Sequence, residues 1–125
     1  MQFVLVGIGG AVGSVARYAI VLAFADLAPT TFPLGTVLVN ITGSALIGAL
    51  AGLASTRHAL NPQFAQFLMV GVCGGYTTFS SFSLQTFELL RLGRPIQAMV
   101  NVTVSVLICV VATTLAHRWV VSKFY

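Results

Sequence analysis

The 125-residue chain is 58% hydrophobic and only 6% charged, with a mean hydropathy of +0.99, against roughly 25% charged residues in soluble domains. That balance excludes a soluble globular domain and makes this an integral membrane protein. Six Lys and Arg against two acids give a net charge of +4; cations so few and so dispersed form no nucleic-acid patch, but they suit the surface of a lipid bilayer.

The first span covers about residues 3–24, the roughly 20 apolar residues that a crossing needs. The chain is apolar from Phe3, with no basic stretch before it and no small-residue cleavage site after a short core, so this is a span and not a signal peptide. Gly9 and Gly13 make a GxxxG step that Ala16 extends, a face that lets another helix approach closely. Arg17 is a charge inside a span, which is costly and normally faces protein, water or a headgroup. Two readings stay open for it: snorkelling, or a place in an anion-attracting vestibule or a dimer contact.

Residues 26–31, with Pro29 and then Pro33, form a short turn. The second span, about residues 33–53, carries Thr36, Asn40, Ser44, Gly48 and Gly52 at four-residue intervals, one helix face on which every member is polar or small. A buried amide such as that of Asn40 must find partners or water; interhelical hydrogen bonding is the plain reading. Residues 55–63 are a loop in which His58 is solvated and has no assigned role.

The third span, about residues 64–92, is too long for one straight crossing and contains the break. Gly74 and Gly75 remove side chains, and Thr77, Thr78, Ser80, Ser81 and Ser83 place hydroxyls where a lipid-facing helix carries Leu or Ile. Such backbone survives at membrane depth only where protein or water covers it. Phe79 and Phe82, three apart, leave nearly the same helix face. Near the end Glu88 and Arg91 are spaced for an ion pair. After Gly93-Arg94-Pro95 comes the fourth span, about residues 96–116, with a second polar row at Asn101, Ser105, Cys109, Thr113 and His117. This row is either a hydrogen-bonded helix interface or a wall of a path through the membrane. Cys73 and Cys109 have no His or carboxylate at metal-ligand spacing, which argues against a disulfide framework or a zinc site; both read as small packing residues. No nucleophile and base pair, metal cluster or phosphate loop suggests an enzyme.

Three stretches then carry a resemblance: Gly9-Gly10-Ala11-Val12-Gly13-Ser14-Val15-Ala16-Arg17-Tyr18, Gly35-Thr36-Val37-Leu38-Val39-Asn40-Ile41-Thr42-Gly43, and Gly74-Gly75-Tyr76-Thr77-Thr78-Phe79-Ser80-Ser81-Phe82. In order and spacing they resemble the CrcB/Fluc fluoride channels, over essentially the whole chain. The resemblance implies an all-α membrane protein, one four-span domain over residues 1–125 with its third helix broken, assembled as an antiparallel, dual-topology homodimer with two pores in a bacterial inner membrane. It implies a passive channel through which cytoplasmic fluoride leaks out. By the same resemblance, the carbonyls of Gly74 and Thr77 from both subunits bind a structural sodium ion. Asn40, Ser80, Ser81, Ser105, Cys109 and Thr113 supply donors along the anion pathway, and Phe79 and Phe82 from opposite subunits turn ring edges to the ion. The chain departs from the family's pattern at Cys109, commonly Ser, and at Gln85, where many relatives carry Glu.

Charge placement agrees with that assembly. Arg57, Arg118 and Lys123 fall on one side of the membrane and Arg91 and Arg94 on the other, with Arg17 ambiguous, so the positive-inside rule orients the chain weakly. A chain that inserts both ways can pair antiparallel with itself. The alternatives are a small dual-topology multidrug-type exporter, which needs an ionisable residue deep in a span, and a structural membrane subunit, which has no need of hydroxyls beside a helix break.

Overall fold

Without water to satisfy it, a backbone in lipid must bond within the protein, and the described residues of the chain do so almost wholly as helix. The structure, a computed structural model, describes residues 1–25, 27, 32–56 and 60–124. Helix α1 spans Gln2–Ala25 and α2 spans Leu34–Ala54. The third crossing is composite: α3 (Pro62–Gln66), a π-helical stretch (Phe67–Cys73), the single turn α4 (Gly74–Tyr76), two extended residues, and α5 (Phe79–Arg91). Helix α6 runs Pro95–Phe124, about two turns past the expected end of its span. Among the described residues four segments are thus long and apolar enough to cross a membrane, the third of them Pro62–Arg91. The expected turn over residues 26–31 and the loop residues Arg57 and His58 lie largely outside the described residues.

Small residues decide which helices meet. Lipid tails are as apolar as Leu, so helices associate by close backbone approach more than by hydrophobic burial. On α1, Gly9 and Gly13 lie against the third crossing: a Cβ on Gly9 would meet the backbone of Phe67, Gly71 and Val72, and one on Gly13 the backbone of Val72, Gly75 and Tyr76. Gly75 answers from the other side, where a Cβ would run into the Gly10 backbone. The second close pair is α2 with α6. Gly48 sits on the Thr113 backbone and Gly52 on the His117 backbone, so the lower ends of the two polar rows are pressed together. Many large apolar side chains point outward, among them Val15, Val110 and Trp119, as a lipid-facing surface requires.

One local expectation fails. Glu88 and Arg91 form no ion pair with each other; both side chains are exposed, where such a pair gains little.

Candidate functional site at the break in the third crossing

The break is a set of exchanged hydrogen bonds. In an unbroken helix the Thr78 N–H would bond to Gly74 O and the Ser81 N–H to Thr77 O. Here Thr78 N–H donates to Asn40 Oδ1 at 2.8 Å, and Asn40 Nδ2 donates back to Thr78 O at 3.1 Å. Ser81 N–H donates to Thr78 Oγ1 at 3.2 Å, so Thr78, in extended conformation (φ −150°, ψ 120°), is the N-cap of α5. The carbonyls of Gly74 and Thr77 therefore lose their regular helical donors. The neighbouring Gly75 carbonyl is taken from α1, accepting from Arg17 Nε at 3.1 Å and Ser14 Oγ at 3.4 Å. Arg17, for which snorkelling and a vestibule or dimer contact both stood open, has its guanidinium tied to the break within this chain.

Beside the break lies a cavity of about 380 Å³. It gathers side chains from α2, the third crossing and α6. Asn40, Gly74, Thr77, Phe79, Phe82, Ser105 and Cys109, all singled out in the sequence, line it together with Ser44, Ile47, Met69, Cys73, Thr78 and other residues. Phe79 and Phe82 lie 5.3 Å apart between ring centroids, tilted by 49°, a favourable spacing for two rings. Their environments differ: Phe79 is 76% exposed and Phe82 only 8%. The Ser105 hydroxyl is buried without a protein partner. Ser105 as a residue lines the cavity.

Three expected site residues stand elsewhere. Thr113 Oγ1 donates to Ser44 O at 3.0 Å in the α2–α6 contact and does not line the cavity. Ser80 and Ser81 stay in the first turn of α5, their hydroxyls 3.4 and 3.1 Å from Thr78 Oγ1. The α6 row is thus divided: its lower end packs on α2, Ser105 and Cys109 face the cavity, and Asn101 Nδ2 donates to Thr86 Oγ1 at 2.9 Å. Gln85 Nε2 donates to Thr36 Oγ1 at 3.0 Å, while its Oε1 is buried without a partner. Sequence reasoning passed over Thr78 as a cap, although a Thr just before a helical run is the usual signal. It also missed Met69 and the cavity face of Cys73, which in an apolar run carry no signal.

Among the described residues, four helices long and apolar enough to cross a membrane, the third broken beside a cavity lined by hydroxyls and aromatic rings, define a multi-pass membrane protein. Residues 4–117 match the family described as CrcB-like protein, Camphor Resistance (CrcB), and the chain belongs to it. Relatives carrying the name fluoride-specific ion channel FluC come from Methylobacterium radiotolerans (47% identical over 116 residues, 91% of this chain and 80% of the relative), Rhodospirillum rubrum (45% over 119 residues, 94% and 92%) and Nitrobacter winogradskyi (50% over 106 residues, 84% and 83%).

Proposed function

We propose that the protein is a passive, fluoride-selective channel that lets cytoplasmic fluoride leave the cell, and that it works as an antiparallel homodimer. The reading rests on one observation above the rest: the cavity at the break brings together the hydroxyl, amide and aromatic side chains of a chain whose relatives are named fluoride channels. A small anion sheds its water only where other donors replace it. Ser105 and Cys109, which line the cavity, would supply such donors, the thiol weakly. The first turn of α5 adds the positive end of a helix dipole. Phe79 and Phe82 contribute ring edges that are mildly positive but carry no proton to give. A lining of this kind holds an anion loosely enough to release it, as conduction requires. Arg17, bonded to Gly75 O, contributes its charge next to the break without standing in the cavity.

The dimer is supported by what one chain leaves uncovered. Gly74 is exposed, and a Cβ there would meet nothing within 4 Å, so packing inside the chain gives no reason for its missing side chain. A second copy closing on this point does. The Gly74 and Thr77 carbonyls, released from helical bonding, suit the structural sodium ion that we assign to the dimer axis: unwound carbonyls are the groups that coordinate sodium in membrane proteins, and two copies supply four hard oxygens. Phe79, largely exposed in one chain, would then reach the pore shared with the partner.

The exporter reading is less favoured. Glu88 lies near the end of α5 and is exposed, not deep in a span where a coupled carboxylate works. Fluoride efflux from liposomes containing the purified protein tests the proposal, with chloride as the comparison ion.

A further inference from the structure

Three sulfur-bearing side chains line the same cavity: Met69, Cys73 and Cys109. Met69 and Cys73 are four apart in the π-helical stretch Phe67–Cys73, whose wide turn keeps residues four to five apart on one side. Cys109 joins them from α6. Both cysteines are free thiols. Neither Met69 nor Cys73 has a part in the anion pathway described above.

We propose that this cavity is also a capture site for a soft, monovalent, thiophilic metal ion such as silver(I) or copper(I), held between Cys73 and Cys109 with the Met69 thioether as a third ligand. Thiolate and thioether sulfur select soft ions of this kind. Zinc is a poor match, because it takes four ligands in a tetrahedron and among the described residues no His, Asp or Glu lines the cavity. Charge favours a monovalent ion as well. One thiol binds as thiolate and passes its proton to water, so the complex of one thiolate with one monovalent cation is neutral, and a neutral complex avoids the cost of an isolated charge in apolar surroundings. No electron is transferred. An ion seated there lies beside Ser105 and Phe82 and obstructs the cavity. That block of fluoride flux rests on the channel reading; the binding itself does not.

The test uses the full-length protein in detergent, titrated with silver nitrate in chloride-free nitrate buffer and followed by calorimetry and by the silver retained after desalting. The double variant Cys73→Ser/Cys109→Ser reports silver held elsewhere, for instance at other methionines or at histidine. Above that background the parent is expected to retain one silver ion per chain. Loss of either cysteine ligand is expected to weaken binding by more than about 100-fold, beyond the loss that removing a supporting outer-sphere partner brings. Because Cys73 is fully buried and its replacement can disturb folding, Cys109→Ser, at a partly exposed position, carries the decision. Fluoride efflux is read alongside, each protein against its own silver-free rate: silver should stop the parent, dithiothreitol should restore it, and Cys109→Ser should keep most of its rate in silver. Binding without loss of flux upholds the metal site and counts against the cavity as the ion path. Silver held no better by the parent than by the double variant, or equally well by Cys109→Ser, overturns the proposal.

Discussion

The side-chain amide of Asn40 grips the Thr78 peptide at both ends, accepting from its N–H at 2.8 Å and donating to its carbonyl at 3.1 Å. One residue of α2 thus does what a neighbouring strand would do for an extended peptide, and the Thr78 peptide at the break is satisfied without helical bonding. Asn40→Asp keeps the acceptor for Thr78 N–H but turns a second carboxylate oxygen toward Thr78 O. We expect a loss of about 1–3 kcal/mol for the unsatisfied, repelled carbonyl, visible as a lower melting temperature in detergent, and abolished fluoride flux. Flux equal to that of the parent would remove Asn40 from the pathway.

Phe79 and Phe82 separate a packing role from a pore role because only one of them is buried. Phe82→Ile shrinks a side chain that is 8% exposed and should cost about 1 kcal/mol or slightly more, whereas Phe79→Ile, at 76% exposure, should leave the stability of a single chain nearly unchanged. Both remove a ring quadrupole, so both should stop fluoride while the protein still folds and dimerises. Parent-like flux in both variants would end the aromatic-edge account for this protein.

The glycine contacts predict a sharp ranking. Ala at Gly13 or Gly48 meets backbone, of Val72 and Tyr76 in one case and of Thr113 in the other, which cannot give way as a flexible side chain can; each should cost about 1–3 kcal/mol. Gly7→Ala meets nothing within 4 Å and should be harmless. Thermal unfolding of the three variants in one detergent checks the order, and a Gly7→Ala as damaging as the other two would show that the helix contacts are misassigned.

Sodium should be part of the assembly. Exchange of sodium for a large organic cation is expected to shift the dimer toward monomer, measured by size-exclusion chromatography or by subunit capture at high dilution in membranes. A dimer indifferent to sodium would leave the Gly74 and Thr77 carbonyls without the role proposed for them.

Much of this architecture can be read from residues. The four spans follow from apolar run length, and the break from Gly74-Gly75 followed by hydroxyls, because no lipid-facing helix tolerates that composition. The two polar rows were legible as helix faces, but a row does not say what it faces. Asn40 bonds to the break, Thr113 to Ser44 O, and Ser105 opens on the cavity, although all three have the same four-residue spacing. That division depends on where α2, α5 and α6 cross, a property of tertiary packing. The π-helical stretch Phe67–Cys73, which packs closely on Gly9, was likewise invisible, since a widened turn leaves no mark in an apolar sequence. Arg17 was legible as costly but not as the partner of Gly75 O, 58 residues away.

The account stands most directly on ion selectivity. Purified protein reconstituted into liposomes, loaded in turn with potassium fluoride and potassium chloride and released with valinomycin, should empty its fluoride rapidly and passively, with no proton gradient supplied, while retaining chloride. Equal release of the two anions, or fluoride release no faster than from protein-free liposomes, would contradict it.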